Sequence, residues 1–83
     1  MEIYVICTVT EGGRYVAAVD TNPDRADRKA RERARELAQE HDATVRAQSI
    51  AHPLSNGPDV VKVYHVRKAG ELVANVELYD VWE

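Results

Sequence analysis

The chain has 83 residues, a formal net charge of −3 at pH 7 and a single cysteine. This length fits one domain with a thin core, the lone cysteine excludes an internal disulfide, and no apolar stretch reaches the roughly 20 residues needed to cross a bilayer. We therefore expect one domain, residues 1–83, in a reducing cytoplasm, with no export signal and no membrane segment.

The N-terminal quarter of the sequence predicts a β-hairpin. Residues 2–10 are rich in β-branched side chains and are apolar on both faces over their first half, which is typical of a central strand. Gly12 and Gly13 follow, and paired glycines supply the positive φ angles that a tight hairpin turn requires. Residues 15–19 then predict the returning strand.

A helix is predicted to begin after Asn22, whose side chain can cap it, with Pro23 at the first helical position. Small and apolar residues then recur at helical spacing along one narrow stripe, which consists of Ala26, Ala30, Ala34, Leu37, Ala38 and His41. Because the stripe is made mostly of methyl groups, the helix axis can lie close to a sheet. We expect the helix to end at His41 and Asp42.

The C-terminal half predicts three more strands. Residues 43–52 alternate between apolar and polar side chains, residues 53–58 form a loop bracketed by prolines, and residues 60–67 and 72–82 are strands joined by a turn. The resulting order is ββαβββ. We therefore predict an α+β fold in which one helix packs on one face of a five-stranded, mainly antiparallel sheet.

Such a helix covers one face of the sheet, yet the strands carry apolar side chains on two faces. One set is predicted as a face for a protein partner or a second copy of the chain, and it consists of Tyr4, Ile6, Val16, Tyr64, Val66, Val73, Tyr79 and Val81. The second set consists of Ile3, Val5, Val63, Leu72, Val76 and Leu78. The pattern leaves open which set meets the helix. Because a monomer seldom leaves a large contiguous apolar surface in water, the surplus set predicts a protein–protein contact.

No motif in the sequence predicts catalysis, a metal site or a cofactor. Cys7 lies in the middle of a predicted strand, with no neighbouring positive charge in the sequence to lower the pKa of its thiol. His41, His52 and His65 do not have metal-ligand spacing, and the sequence contains neither a phosphate loop nor a nucleophile motif. We expect a protein that is not an enzyme and that holds no metal or cofactor.

Binding of nucleic acid is an alternative, because the predicted helix carries six basic residues. The candidate face consists of Arg25, Arg28, Lys29, Arg31 and Arg35, and such stripes can contact phosphates. Five acidic residues are interleaved with them on the same helix, and no aromatic residue is present there to stack on bases. This charge pattern favours a solvated helix face with internal salt bridges.

A resemblance adds to these expectations. The opening residues 1–6, the hairpin through residues 15–19, the alanine-rich charged helix and the closing hairpin of residues 60–82 resemble small proteins of unknown function encoded by actinobacteriophages and their hosts. The ββαβββ order is also similar to that of a small type I-F anti-CRISPR family. The resemblance implies a phage or mobile-element accessory protein that binds the surface of a host complex and has no catalytic residues. A designed α+β scaffold without biological function is a further alternative, although designed cores favour leucine, isoleucine and phenylalanine over the valine and alanine found here.

Overall fold

The computed structural model describes residues 2–50 and 59–82, which form five strands and one helix. The elements are β1 (Glu2–Thr10), β2 (Gly13–Asp20), α1 (Pro23–His41), β3 (Thr44–Ser49), β4 (Asp59–Lys68) and β5 (Glu71–Trp82). All strand pairs are antiparallel, and the strand order in the sheet is β2-β1-β5-β4-β3. The prediction of an α+β fold with ββαβββ order is confirmed. The predicted strand at residues 43–52 ends earlier, at Ser49. Its residues 51–52 and the predicted loop at residues 53–58 lie outside the described residues.

Helix α1 begins and ends where the sequence predicted. The side chain of Asn22 accepts a hydrogen bond of 3.0 Å from the backbone N–H of Arg25, and Pro23 occupies the first turn. At the other end Asp42 adopts a left-handed conformation, and its N–H bonds to the carbonyls of Ala38 and Gln39. The predicted stripe is buried against the sheet from Ala26 to Ala38, whereas His41 is exposed in the last turn.

Two carboxylates fasten the helix to the sheet. Asp20, at the end of β2, accepts hydrogen bonds from Arg25 at 2.7 and 2.9 Å and pairs with Lys29 at 2.8 Å. These hydrogen bonds, with one from the backbone of Asn22, hold the pKa of Asp20 well below its usual range. Asp27 points from the helix to β4, where it accepts from the hydroxyl of Tyr64 and pairs with the Lys62 ammonium at 3.3 Å. The first turns of α1 are thus held at two separate points.

The core lies between α1 and one face of the sheet, and it mixes members of the two predicted apolar sets. Under the helix lie side chains from three central strands, namely Tyr4, Ile6, Tyr64, Val66, Ala74, Val76 and Leu78. The register explains the mixture, because Ile6 lies opposite Leu78 and Tyr64 lies opposite Val76. Alternation in the sequence shows which residues of one strand share a face. It does not show which of the two faces of the neighbouring strand lies on the same side of the sheet.

The prediction that eight residues share one partner face is therefore wrong. Tyr4, Ile6, Tyr64 and Val66 are buried beneath the helix, and Val73 is half-buried against the same core. Val16, Tyr79 and Val81 lie on the opposite face, as shown by their positions across from Cys7, Val5 and Ile3.

An irregularity in the hairpin of β1 and β2 changes which residues of β2 share a face. Ile6 lies opposite Ala18 while Cys7 lies opposite Val16, so Ala17 is an extra residue in β2. Such a bulge shifts the alternation of side chains by one position. Val16 and Val19 are three residues apart, and they nevertheless lie on the same face of the sheet.

Replacing Asp20 by Asn should lower the stability of the protein at neutral pH. It should also make that stability less dependent on pH in the acidic range. The pKa of Asp20 is lower in the folded than in the unfolded chain, so its contribution is present above the unfolded value of about 4 and is lost as the pH falls towards the folded value. Thermal unfolding between neutral pH and strong acid measures this. Asp24→Asn, at an exposed position in the first turn of α1, is the control, and parallel pH curves for Asp20→Asn and the parent would contradict the assignment.

A pair of substitutions in β1 tests which face the helix covers. Ile6→Ala removes a fully buried side chain and is expected to lower the free energy of unfolding by about 2–5 kcal/mol. Ile3→Ala, on the opposite face, is expected to lower it by roughly 1 kcal/mol. Denaturant unfolding of both variants gives the comparison, and equal losses would argue against the helix position described above.

Candidate interaction surface

The face of the sheet opposite α1 is the candidate interaction surface, and we call it the helix-free face. Strand register assigns to it the side chains that lie next to one another across the five strands: Arg14, Val16 and Val19 of β2; Ile3, Val5, Cys7 and Val9 of β1; Asn75, Glu77, Tyr79 and Val81 of β5; Val60, Val63 and His65 of β4; and Arg46 and Gln48 of β3. Within residues 2–50 and 59–82, no second layer of helix or sheet packs on this face.

One end of the helix-free face is apolar. Ile3 lies opposite Val81, and Val5 lies between Val19 on one side and Tyr79 on the other. Val60 continues this row beyond Tyr79 into β4. We call these residues the apolar patch: Ile3, Val5, Val19, Val60, Tyr79 and Val81. Val19 is 52% exposed and the other five are half-buried by their neighbours in the sheet, so all six retain surface that a partner could cover.

A closed network of three polar side chains borders the patch. Arg14 donates to the hydroxyl of Tyr79 at 2.9 Å and pairs with Glu77 at 3.2 Å, while the Tyr79 hydroxyl donates to Glu77 at 3.0 Å. Burial raises the pKa of Tyr79, and the neighbouring Glu77 raises it further, so the hydroxyl stays protonated. The network bridges β2 and β5 across β1, and it fixes the orientation of the one aromatic ring in the patch.

The other end of the helix-free face is polar. The Nδ1 atom of His65 lies 2.8 Å from the amide oxygen of Asn75, and its Nε2 atom lies 3.1 Å from that of Gln48. Arg46 is the cross-strand neighbour of His65 on the edge strand β3. The helix-free face therefore differs along the strands: one end carries valine, isoleucine and tyrosine, and the other carries amides, imidazole and guanidinium around Val9, which lies between Arg14 and Asn75.

Cys7 lies between these two regions, and its surroundings do not suit nucleophilic chemistry. It is 8% exposed, next to Val16 and Glu77 in the register. Burial raises the pKa of its thiol, and the charge of Glu77 raises it further, which more than offsets the opposite effect of Arg14. A reactive cysteine requires the reverse arrangement, with a lowered pKa and open access.

The candidate nucleic-acid face is largely occupied by carboxylates of the same chain. Arg25 and Lys29 are bound to Asp20, and Arg31 pairs with Asp27 at 3.4 Å. Arg28 and Arg35 are exposed, and the described part of the chain provides no ion pair for either. Of the five predicted phosphate-binding residues, the structure thus leaves these two with an uncompensated charge.

The described residues hold no group of three or more His, Cys, Asp or Glu side chains that could bind a metal ion. Of the three histidines, His41 is exposed at the end of α1, His65 is part of the polar network on the sheet, and His52 lies outside the described residues. In the same residues α1 is too polar to count as a membrane-spanning helix.

Comparisons with protein-family models, with curated proteins and with solved structures find no match for this chain. The helix-free face is therefore the feature from which a function can be inferred. Sequence reasoning had assigned Ile3 and Val5 to the other set and had not singled out Val19 or Val60. Alternation within a single strand does not predict which residues of other strands lie beside it, so the sequence did not place these residues next to Tyr79 and Val81.

The environment of Cys7 predicts slow labelling by a thiol reagent in the native state. Burial and the raised pKa both lower the fraction of accessible thiolate, so labelling is expected to require unfolding. The rate of reaction with an aromatic disulfide, followed with and without denaturant, measures this protection. Native labelling as fast as that of the unfolded chain would contradict it.

Proposed function

We propose that the protein is a non-enzymatic protein–protein interaction module that binds its partner through the helix-free face. The observation that supports this is the apolar patch, in which six neighbouring apolar or aromatic side chains keep solvent-accessible surface. Covering apolar area is the main favourable contribution to most protein association. A contiguous apolar area on a small domain is a typical mark of an interface.

The dimensions of the sheet suit an interface of ordinary size. The molecule measures 39 by 23 by 22 Å, and the first two lengths match a twelve-residue strand and the width of five strands. A face of this size is comparable to the roughly 800 Å² that each partner buries in a standard protein complex. The apolar patch would form the centre of the contact, with the side chains around Glu77 and His65 at its rim.

Tyr79 is the expected anchor of the contact. Tyrosine is enriched at positions that contribute most to binding, and the hydrogen bonds to Arg14 and Glu77 hold its ring in place before binding. An ordered side chain loses less conformational entropy when it binds. The surrounding valines and isoleucine would exclude water from the ring.

The resemblance to phage proteins and to an anti-CRISPR family adds a class of partner, namely a protein complex in the cytoplasm of a bacterial host. It contributes no residue to the argument. The partner surface required by the helix-free face is one with an apolar centre next to a polar area that can pair with amides, imidazole and guanidinium.

Substitution of Val81 by Lys tests the proposal. The ammonium would be placed within the apolar patch and would have to be desolvated by the partner, so binding is expected to weaken by about tenfold or more. Affinity capture from host cells with quantitative mass spectrometry, followed by titration of the recovered proteins, gives the readout. The matched control is Arg35→Glu, which changes the charge on the solvent side of α1 and should retain binding.

The same pair of variants tests the nucleic-acid alternative. Loss of binding in Arg35→Glu with retention in Val81→Lys, together with a steep fall of affinity with salt, would contradict the proposal and favour phosphate contact by α1. Equal capture by the parent and by Val81→Lys would exclude the helix-free face.

A further inference from the structure

Strand β2 is an edge strand with an unusual share of exposed apolar surface. Among the described residues it bonds to β1 alone, and three of the large hydrophobic residues that are most exposed lie on it, namely Tyr15 (46%), Val16 (59%) and Val19 (52%). It contains neither lysine nor proline, the residues that commonly protect an edge from pairing. The opposite edge, β3, is short and mostly polar.

The bulge at Ala17 places the two exposed valines of β2 on the same face of the sheet. Val16 lies opposite Cys7 and Val19 lies opposite Val5, and these two residues of β1 are two positions apart. Val16 and Val19 therefore share both a side-chain face and the direction in which their backbone groups point. By the same argument Tyr15 and Asp20 share the face that carries α1, because they lie opposite Thr8 and Tyr4.

We propose that β2 pairs antiparallel with β2 of a second copy of this chain, with Val16 of each copy opposite Val19 of the other. In this register Tyr15 of each copy lies opposite Asp20 of the other, so every outer pair joins residues of the same face. The two-fold axis passes between Ala17 and Ala18, whose small side chains allow the strands to approach. No two like charges are placed opposite each other.

Other two-fold registers fit less well. Pairing Val16 with Val16 of the second copy also matches faces once the extra residue Ala17 is counted, but it sets the Arg14 guanidinium opposite the apolar Val19. Pairing Val19 with itself would leave most of β2 without a partner. The Val16–Val19 register is the one that sets exposed valine opposite exposed valine twice, and this match points to a second copy as the occupant of this edge.

The helix leaves room for this pairing. An open groove runs along β2 beside α1, lined by residues that include Tyr15, Ala18, Arg33 and Glu36. Arg33 lies over the ring of Tyr15 at 6.0 Å and donates to its hydroxyl, which holds this side chain back against its own helix. The outer side of β2 thus remains accessible to another strand.

The dimer would have a consequence for the helix-free face. Two five-stranded sheets joined through β2 form one continuous sheet of ten strands, and the apolar patches of the two copies lie on the same side of it. Val19 stands at the β2 border of the patch, so it would form the link between the two patches. This inference goes beyond the proposed function and does not depend on it.

Cysteine pairs at the predicted contact test the register. The double variant Val16→Cys with Val19→Cys, in a Cys7→Ala background, is expected to form a disulfide-linked dimer under mild oxidation, because directly opposite Cβ atoms in a sheet lie about 5 Å apart. Each single cysteine variant is expected to remain uncrosslinked, since identical residues would be diagonal neighbours roughly 7–8 Å apart, beyond the usual reach of a disulfide. Crosslinking of either single variant as fast as the double variant would overturn the register.

Light scattering over a wide range of concentrations tests the dimer itself. The parent is expected to show the dimer mass, and Val19→Lys is expected to weaken dimerisation by about tenfold or more, since its ammonium would face an apolar side chain of the other copy. Leu72→Lys is the matched control, because Leu72 is also exposed (48%) but lies on β5, and this variant should remain dimeric.

Val81→Lys separates this inference from the proposed function. It should remain dimeric here while losing the partner in the capture experiment described above. A parent protein that is monomeric at every concentration would overturn the edge dimer, and so would a dimer that Val81→Lys disrupts and Val19→Lys leaves intact. A monomeric parent would leave the capture experiment unaffected, whereas the second result would place a second copy of the chain on the helix-free face.

Discussion

The pairing of β1 with β5 in the interior of the sheet determines what each face of this protein can do. Ile6 lies opposite Leu78, and these two side chains, with Tyr4 on the same face of β1, pack in the core under the helix. Val5 lies opposite Tyr79, and Ile3 lies opposite Val81, so these face away from it. A slip of one residue in this register would exchange the buried and the exposed sets, because side chains alternate with a period of two. The core and the candidate interaction surface are therefore two results of one register.

The narrow helix stripe explains why the second face remains uncovered. Alanine at most buried positions of α1 lets the helix lie close to the sheet but gives it little side-chain surface of its own to bury. The helix is held in addition by the carboxylates of Asp20 and Asp27. These contacts use the cations nearest the sheet, so the same arrangement that fastens the helix also removes much of the positive charge that nucleic-acid binding would need.

On the helix-free face, polar side chains are satisfied within the sheet and apolar ones are not covered. Glu77 is bonded to Arg14 and Tyr79, and His65 is bonded to Asn75 and Gln48. A partner therefore does not have to compensate a buried charge at the centre of the face, and most of the gain from binding would come from covering apolar area. The edge dimer would use only Val19 of the apolar patch and would place two patches on one sheet, so substitution at Val81 tests the patch separately from the edge.

The sequence by itself determined the elements of this fold. β-Branched runs, paired glycines, the Asn22 cap with Pro23, and the alanine stripe predicted each strand and the helix close to their observed bounds, because these signals act over a few neighbouring residues. Only the tertiary structure decided the register between neighbouring strands and the position of the bulge at Ala17. It also decided the contacts of Asp27 with Tyr64 and Lys62. Those features join residues that are distant in the chain. For this reason the presence of a surplus apolar face could be predicted from the sequence, while its members could not: Tyr4 and Ile6 belong to the core, and Ile3 and Val5 belong to the surface.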